Sequence, residues 1–223
     1  MEKLFDILGI KPKNISNYEK AFIHTSYAYE NDLSYSYERL EFLGDAIVDL
    51  AVSDYLYTNK NYTEGEMTKI RASYVCENAL YEYANDLGFS NYLKLGNGEL
   101  LSGGLHKKAI LADTFEALIA AIYLDLGFKK AKEVALKIIV PYIEDKNIRF
   151  FSDYKSELQE TVQDVQKNLV YELVKEEGPA HDRSFVINVK IDDIVYGTGI
   201  GHSKKEAEQE AAKSALKKYV NEK

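Results

Sequence analysis

Glu38, Glu41 and Asp45 stand in the run Tyr37-Glu38-Arg39-Leu40-Glu41-Phe42-Leu43-Gly44-Asp45-Ala46. On a helix, offsets of three and seven residues project within an arc of roughly 60°, so the three carboxylates share one face. The apolar residues Leu40, Leu43, Ile47 and Leu50 are expected near the opposite side. Neighbouring carboxylates on such a face lie about 5–6 Å apart. At an effective dielectric of about 20, each like-charged pair at that distance costs about 3 kcal/mol. A solvated face would scatter lysines among them, whereas the nearby cation here, Arg39, projects elsewhere. A divalent metal ion is the economical explanation.

A second acidic pair, Asp113 and Glu116, lies three residues apart in Ile110-Leu111-Ala112-Asp113-Thr114-Phe115-Glu116-Ala117-Leu118-Ile119. Its surroundings are apolar, and buried carboxylates are rare unless paired or metal-bound. Two acidic helices that meet would form a cage of hard oxygen ligands, which suits Mg²⁺, or Mn²⁺ in its place, rather than zinc. The competing readings are two unrelated charged faces, or a di-iron carboxylate bundle. The latter normally needs Glu-x-x-His pairs, and Ala21 and Gly103 stand three residues before His24 and His106. Those histidines are therefore read as structural or substrate-facing. Asp49, one turn beyond Asp45, is expected to be solvated. Glu64, at the start of the next helix, suits dipole compensation or a place near the metal.

The elements that must position these groups are helices. Helical patterns run over Asn17–Tyr29, Tyr37–Tyr57, Glu64–Leu87, Leu105–Leu126 and Phe128–Ile143, with Gly88 and Gly127 as stops. The segment around 145–152 breaks the pattern and reads as a linker. A helix over Tyr154–Gln163 follows, then strands at 171–174, 185–191 and 194–199. Asp192-Asp193 makes a tight hairpin turn between the last two strands. Ser203 and Glu206 then form a capping box for a closing helix. The expected class is an all-α domain over 1–146, a linker over 147–152, and a small α-β-β-β-α domain over 153–221.

The 223 residues, 46% hydrophobic and 29% charged, suit a soluble globular protein. The stretch Ala109–Leu126 is broken by Asp113, Glu116 and Asp125, so it is too interrupted for a membrane span. Met1–Ile10 lacks the apolar core of a signal peptide. The single cysteine, Cys76, allows no internal disulfide. It suits a reducing cytoplasm and is expected to be a buried structural thiol. A net charge of −8 argues against a generic nucleic-acid binder.

The run from Glu38 to Ala46 resembles the signature of the ribonuclease III family, the double-strand-specific endoribonucleases. The resemblance extends to His24-Thr25-Ser26-Tyr27, to Glu64-Gly65-Glu66-Met67-Thr68-Lys69-Ile70-Arg71-Ala72 and to Ile110–Ile119. It implies that Glu41, Asp45, Asp113 and Glu116 bind Mg²⁺, with Asp45 and Glu116 catalytic. It also implies that Glu38 and Glu64 sit beside the cleavage centre and touch RNA. Water would attack the scissile phosphate in line, leaving 5′-phosphate and 3′-hydroxyl ends with two-nucleotide 3′ overhangs. The family works as a homodimer, and Phe42 matches its interface aromatic, although Phe42 could equally be core of its own subunit. Three positions depart from the family's pattern: Tyr37 replaces a small polar residue, Ala109 a serine and Ala120 a glycine. None of these removes a carboxylate, and Ala120 implies local repacking.

The later α-β-β-β-α order, with Gly199–Ala212, resembles a double-stranded-RNA-binding domain, which reads A-form shape largely without base specificity. The resemblance implies RNA contacts from Gln159 and Gln163 on the first helix and from His181 on the strand 1–2 loop. Lys204 and Lys205 at the start of the last helix complete the set, beside backbone N–H groups that favour phosphate. Residues 153–223 hold about 11 Lys and Arg against about 14 Asp and Glu. Affinity should then depend on local placement and show a shallow salt dependence. The reading is a homodimeric, Mg²⁺-dependent, cytoplasmic endoribonuclease for double-stranded RNA, including ribosomal precursors. The rivals are a non-catalytic double-stranded-RNA-binding protein on a nuclease scaffold and a phosphohydrolase of small nucleotides.

Overall fold

Residues 1–145, 148, 150, 154–163, 167–179 and 183–221 are described by the structure, a computed structural model. The chain divides into two units, Met1–Phe151 and Ser152–Lys223. In the first unit the helices are α1 (Glu2–Leu8), α2 (Ile15–Ala21), α3 (Thr25–Glu30), α4 (Glu38–Asn59), α5 (Glu64–Tyr74), α6 (Glu77–Asp86), α7 (Asn97–Leu101), α8 (Lys108–Leu126) and α9 (Phe128–Glu144). Every residue from Ala117 to Ile122 is buried. A helix apolar on all sides belongs at the centre of a fold, and α8 is packed by α2, α4, α6 and α9.

Two expected helices are each divided in two. The pattern Asn17–Tyr29 breaks at Phe22-Ile23-His24, where Ile23 bridges Lys94 and His24 caps α3. The pattern Glu64–Leu87 breaks at Val75-Cys76, where Cys76 turns extended. The Tyr83 hydroxyl donates to the Tyr74 carbonyl at 3.0 Å, so this helix end keeps a hydrogen-bond partner inside the fold. Cys76 is half-buried rather than buried, and its thiol donates to the Ser73 carbonyl. The Leu105–Leu126 pattern begins with a 3₁₀ turn at Gly104–His106, so α8 itself starts at Lys108.

The described residues of the expected linker pack on the first unit. The Ile148 carbonyl accepts from the Tyr74 hydroxyl at 2.9 Å. Phe150 meets the rings of Tyr74, Tyr83 and Tyr142 edge-on or tilted.

The second unit is α10 (Tyr154–Gln163), β1 (Leu169–Glu177), β2 (Ser184–Ile191), β3 (Ile194–Gly201) and α11 (Lys204–Asn221). The strands form an antiparallel sheet in the order β1-β2-β3. Asp192 and Asp193 both have positive φ, 49° and 69°, as a two-residue type I′ hairpin turn requires. Ile187, Val189 and Ile191 alternate onto one face against Leu158, Val162 and the alanines 207, 211, 212 and 215. Ser203 accepts from the Glu206 N–H at 3.2 Å, while the Glu206 carboxylate reaches back one residue further, to the His202 N–H at 2.7 Å.

Candidate active site

The site lies where α4 crosses α8. A Cβ at Gly44 would lie 1.9 Å from the Glu116 carbonyl oxygen, so the two backbones touch and only glycine fits between them. A mid-helix glycine costs about 1 kcal/mol relative to alanine, and that cost was the sequence signal for a close approach. The contact brings Glu41, three residues before Gly44, against α8. One carboxylate oxygen from each of Glu41, Asp113 and Glu116 lies within 4.8 Å of the others.

The packed face of α4 is Gly44, Ile47, Val48, Ala51, Val52 and Leu56. Of the apolar set expected opposite the acids, Ile47 is buried and Leu40 and Leu43 pack partly buried on the core, whereas Leu50 is 54% exposed and Glu41 continues the packed face. The reason is that the helix has two apolar stripes. The second is the solvent-facing set Phe42, Leu50 and Tyr57, with Phe42 84% and Tyr57 80% exposed. Beside this stripe, Leu50, Leu56 and Tyr57 of α4 and Glu64, Met67 and Arg71 of α5 line a groove.

The acids push one another toward the protonated form. Burial raises the Glu116 carboxyl to about 8, reinforced by Asp45, Asp113, Glu41 and Asp49. Burial also raises Glu41, with Asp113, Glu38 and Asp45 adding to it. The leading charges that act on these two carboxyls are other carboxylates. Asp113 is raised by burial and by Glu77, and lowered by the Tyr37 hydroxyl, which donates to it at 3.1 Å, and by His24. Tyr37, itself buried beside these acids, has its hydroxyl pushed above the ordinary phenol range and so remains a donor. Half-buried hard oxygens with unrelieved mutual repulsion are the donor set a small divalent cation fits.

The remaining candidates are distributed around this cluster. Asp45 is exposed and falls outside the group of three, although its charge is the second cause of the Glu116 shift. Asp49 is half-buried and acts on Glu116 as well, so it is not simply solvated. Glu38 is exposed at the first turn of α4. Glu64 is not brought into the carboxylate cluster; it accepts from the Thr68 hydroxyl beside the groove. The His24 Nδ1 accepts from the Ser26 N–H at 3.1 Å, a structural role, and His106 is exposed. Ala120 is fully buried and Ala109 exposed. Sequence reasoning missed the Gly44 contact and the Tyr37–Asp113 hydrogen bond. The first had its glycine signal; the second had none.

In the second unit, Gln159 and Gln163 are exposed one turn apart on α10. Lys204 and Lys205 are exposed in the first turn of α11, with the Lys204 ammonium 5.9 Å from the Phe185 ring centre. His181 lies outside the described residues.

An all-helical unit with a carboxylate cluster at a helix crossing, followed by an α-β-β-β-α unit, defines a two-domain nuclease of double-stranded RNA. Residues 14–143 match the ribonuclease-III-like family model, and residues 154–219 match the double-stranded RNA binding motif. The chain belongs to the ribonuclease III family, the double-strand-specific endoribonucleases. A protein named Ribonuclease 3 from Onion yellows phytoplasma (strain OY-M) is 47% identical, the match covering 100% of this chain and 93% of the relative. Another of the same name from Bacillus cereus (strain G9842) is 46% identical, covering 89% and 83%. Among solved structures, the nuclease domain of ribonuclease III from Campylobacter jejuni is similar with a TM-score of 0.59 and 38% identity, over 63% of this chain and 96% of that one.

Proposed function

We propose that residues 1–146 cleave double-stranded RNA with Mg²⁺, or Mn²⁺ in its place, held by Glu41, Asp45, Asp113 and Glu116. A linker over 147–152 leads to residues 153–221, which hold the duplex. The observation that carries the reading is the convergence of Glu41, Asp113 and Glu116 at a backbone contact, with carboxylates as the surrounding charges of Glu41 and Glu116. A bound divalent ion supplies Lewis acidity at the phosphate and lowers the pKa of water. Glu116 holds a proton near neutral pH without a cation and releases it when one binds. Asp45, exposed outside the group of three, completes the metal set, and Glu38, also exposed, contacts the RNA.

Products then carry 5′-phosphate and 3′-hydroxyl ends with two-nucleotide 3′ overhangs, one cut per strand from a homodimer. The solvent-facing stripe of Phe42, Leu50 and Tyr57 is the surface for the second copy. Exposed apolar side chains in such a row suit an obligate partner. Gln159, Gln163, Lys204 and Lys205, with His181, contact the duplex. Structured RNAs such as ribosomal precursors in the cytoplasm are the substrates. No helix among the described residues is long and apolar enough to cross a membrane.

The test uses a long RNA duplex with Mg²⁺ beside a Glu116→Gln variant. Cleavage by the natural protein, and binding without cleavage by the variant, support the reading. Binding without cleavage by both proteins would leave a non-catalytic RNA-binding protein, and absence of binding by both would remove the role of the second unit.

A further inference from the structure

We propose that Tyr37 is a positioning residue for the metal site, its hydroxyl holding Asp113 in the orientation that presents a free oxygen to the cation. The inference rests on the metal-site reading above and concerns a residue at which this chain departs from the family's small polar side chain.

Tyr37 is 3% exposed and stands immediately before α4. Three contacts fix it. Its N–H donates to the Ile23 carbonyl at 2.8 Å. Its ring meets the His24 ring edge-on, with centres 5.6 Å apart. Its hydroxyl donates to Asp113 Oδ2 at 3.1 Å. Among the described residues this is the one side-chain hydrogen bond that Asp113 receives. Tyr37 therefore ties the α2–α3 connection, the start of α4 and the acidic turn of α8 to one rigid ring.

A carboxylate has about four lone-pair sites on two oxygens, so one bond from Tyr37 leaves capacity for a metal. The bond also removes rotational freedom that metal binding would otherwise have to remove. The chemistry of the donor matters. A lysine or arginine here would neutralise Asp113 and compete with the cation, whereas a neutral phenol orients the carboxylate and leaves its charge. Groups that hold a metal ligand in this way typically account for about 10–100-fold in metal affinity.

The test is Mn²⁺ binding to EDTA-stripped full-length protein, read as free Mn²⁺ by electron paramagnetic resonance. Tyr37→Phe keeps the buried ring and removes the hydroxyl. Tyr18→Phe is the control: it removes a fully buried hydroxyl that donates to Asp125 at 2.9 Å, outside the carboxylate cluster. The expected result is a Kd raised about 10-fold or more in Tyr37→Phe only, with duplex binding in EDTA unchanged. Cleavage by this variant should recover toward the natural rate as Mg²⁺ is raised. An unchanged Kd in Tyr37→Phe overturns the proposal and leaves the metal site standing. Equal weakening in both variants also overturns it, because the effect then passes through stability. If the natural protein itself binds no Mn²⁺, the metal-site reading falls and takes the proposal with it.

Discussion

The Glu116 carbonyl occupies the place where a side chain at Gly44 would begin, 1.9 Å from an added Cβ. This backbone contact sets the spacing between Glu41 on α4 and the acids on α8. Gly44→Ala is expected to force the helices apart, at about 1–3 kcal/mol of stability for an overpacked core. Thermal melting measures that loss, and Mn²⁺ titration should show weakened binding in the same variant. A variant as stable and as tight as the natural protein would mean the helices do not touch there.

Glu116 makes the metal-free protein sensitive to pH. Its carboxyl is raised from an ordinary 4.5 to about 8, chiefly by burial and then by neighbouring acids. Between those values the folded state holds a proton that the unfolded chain has released. This contribution to stability is fully present below the unfolded value and is lost as pH rises through about 8. The Tm of EDTA-treated protein should therefore fall from about pH 5 to about pH 8 and level off above, and fall less in Glu116→Gln. Mg²⁺ should restore the loss most at the alkaline end. Parallel Tm profiles for the two proteins would exclude Glu116 as the cause.

Phe42 projects 84% exposed from α4. Burying such a side chain is worth about 1.5–3 kcal/mol, and two copies contribute in a symmetric dimer. Phe42→Ser should raise the dimer dissociation constant at least about 10-fold, seen by sedimentation across a concentration series. An unchanged association constant would move the interface elsewhere.

Lys204 and Lys205 stand exposed at the start of α11 in a domain with more acids than bases. Duplex affinity should have a shallow dependence on salt. Each Lys→Ala change should reduce the log–log slope by about 1. A natural-protein slope implying about ten or more phosphate contacts would show that local lysine placement is not what holds the RNA.

Much of the architecture is legible from local pattern. The strand expected over 185–191 is observed within β2, and the Asp192-Asp193 turn joins it to β3 as expected. The apolar run around Asp113 and Glu116 placed α8 at the core. Local pattern failed where a distant group took over a helix end. The break after Tyr74 is held by Tyr83 and by the Ile148 carbonyl, both supplied by later parts of the chain. On α4 local pattern placed Leu40, Leu43 and Ile47 on the core but misplaced Leu50, because a second, solvent-facing apolar stripe runs beside the packed one.

By itself the sequence determined that five acids, Glu38, Glu41, Asp45, Asp113 and Glu116, recur at helical spacing in two blocks and that an α-β-β-β-α unit follows, because side-chain type and period are local properties. Only the tertiary structure decided which acids meet. Glu41, Asp113 and Glu116 converge, Asp45 stays exposed outside that group, and Glu64 lines the groove. The physical reason is that convergence depends on how closely two helix backbones approach, here through Gly44. It depends also on a hydrogen bond from Tyr37 to Asp113 across 76 residues of sequence, which no local preference encodes.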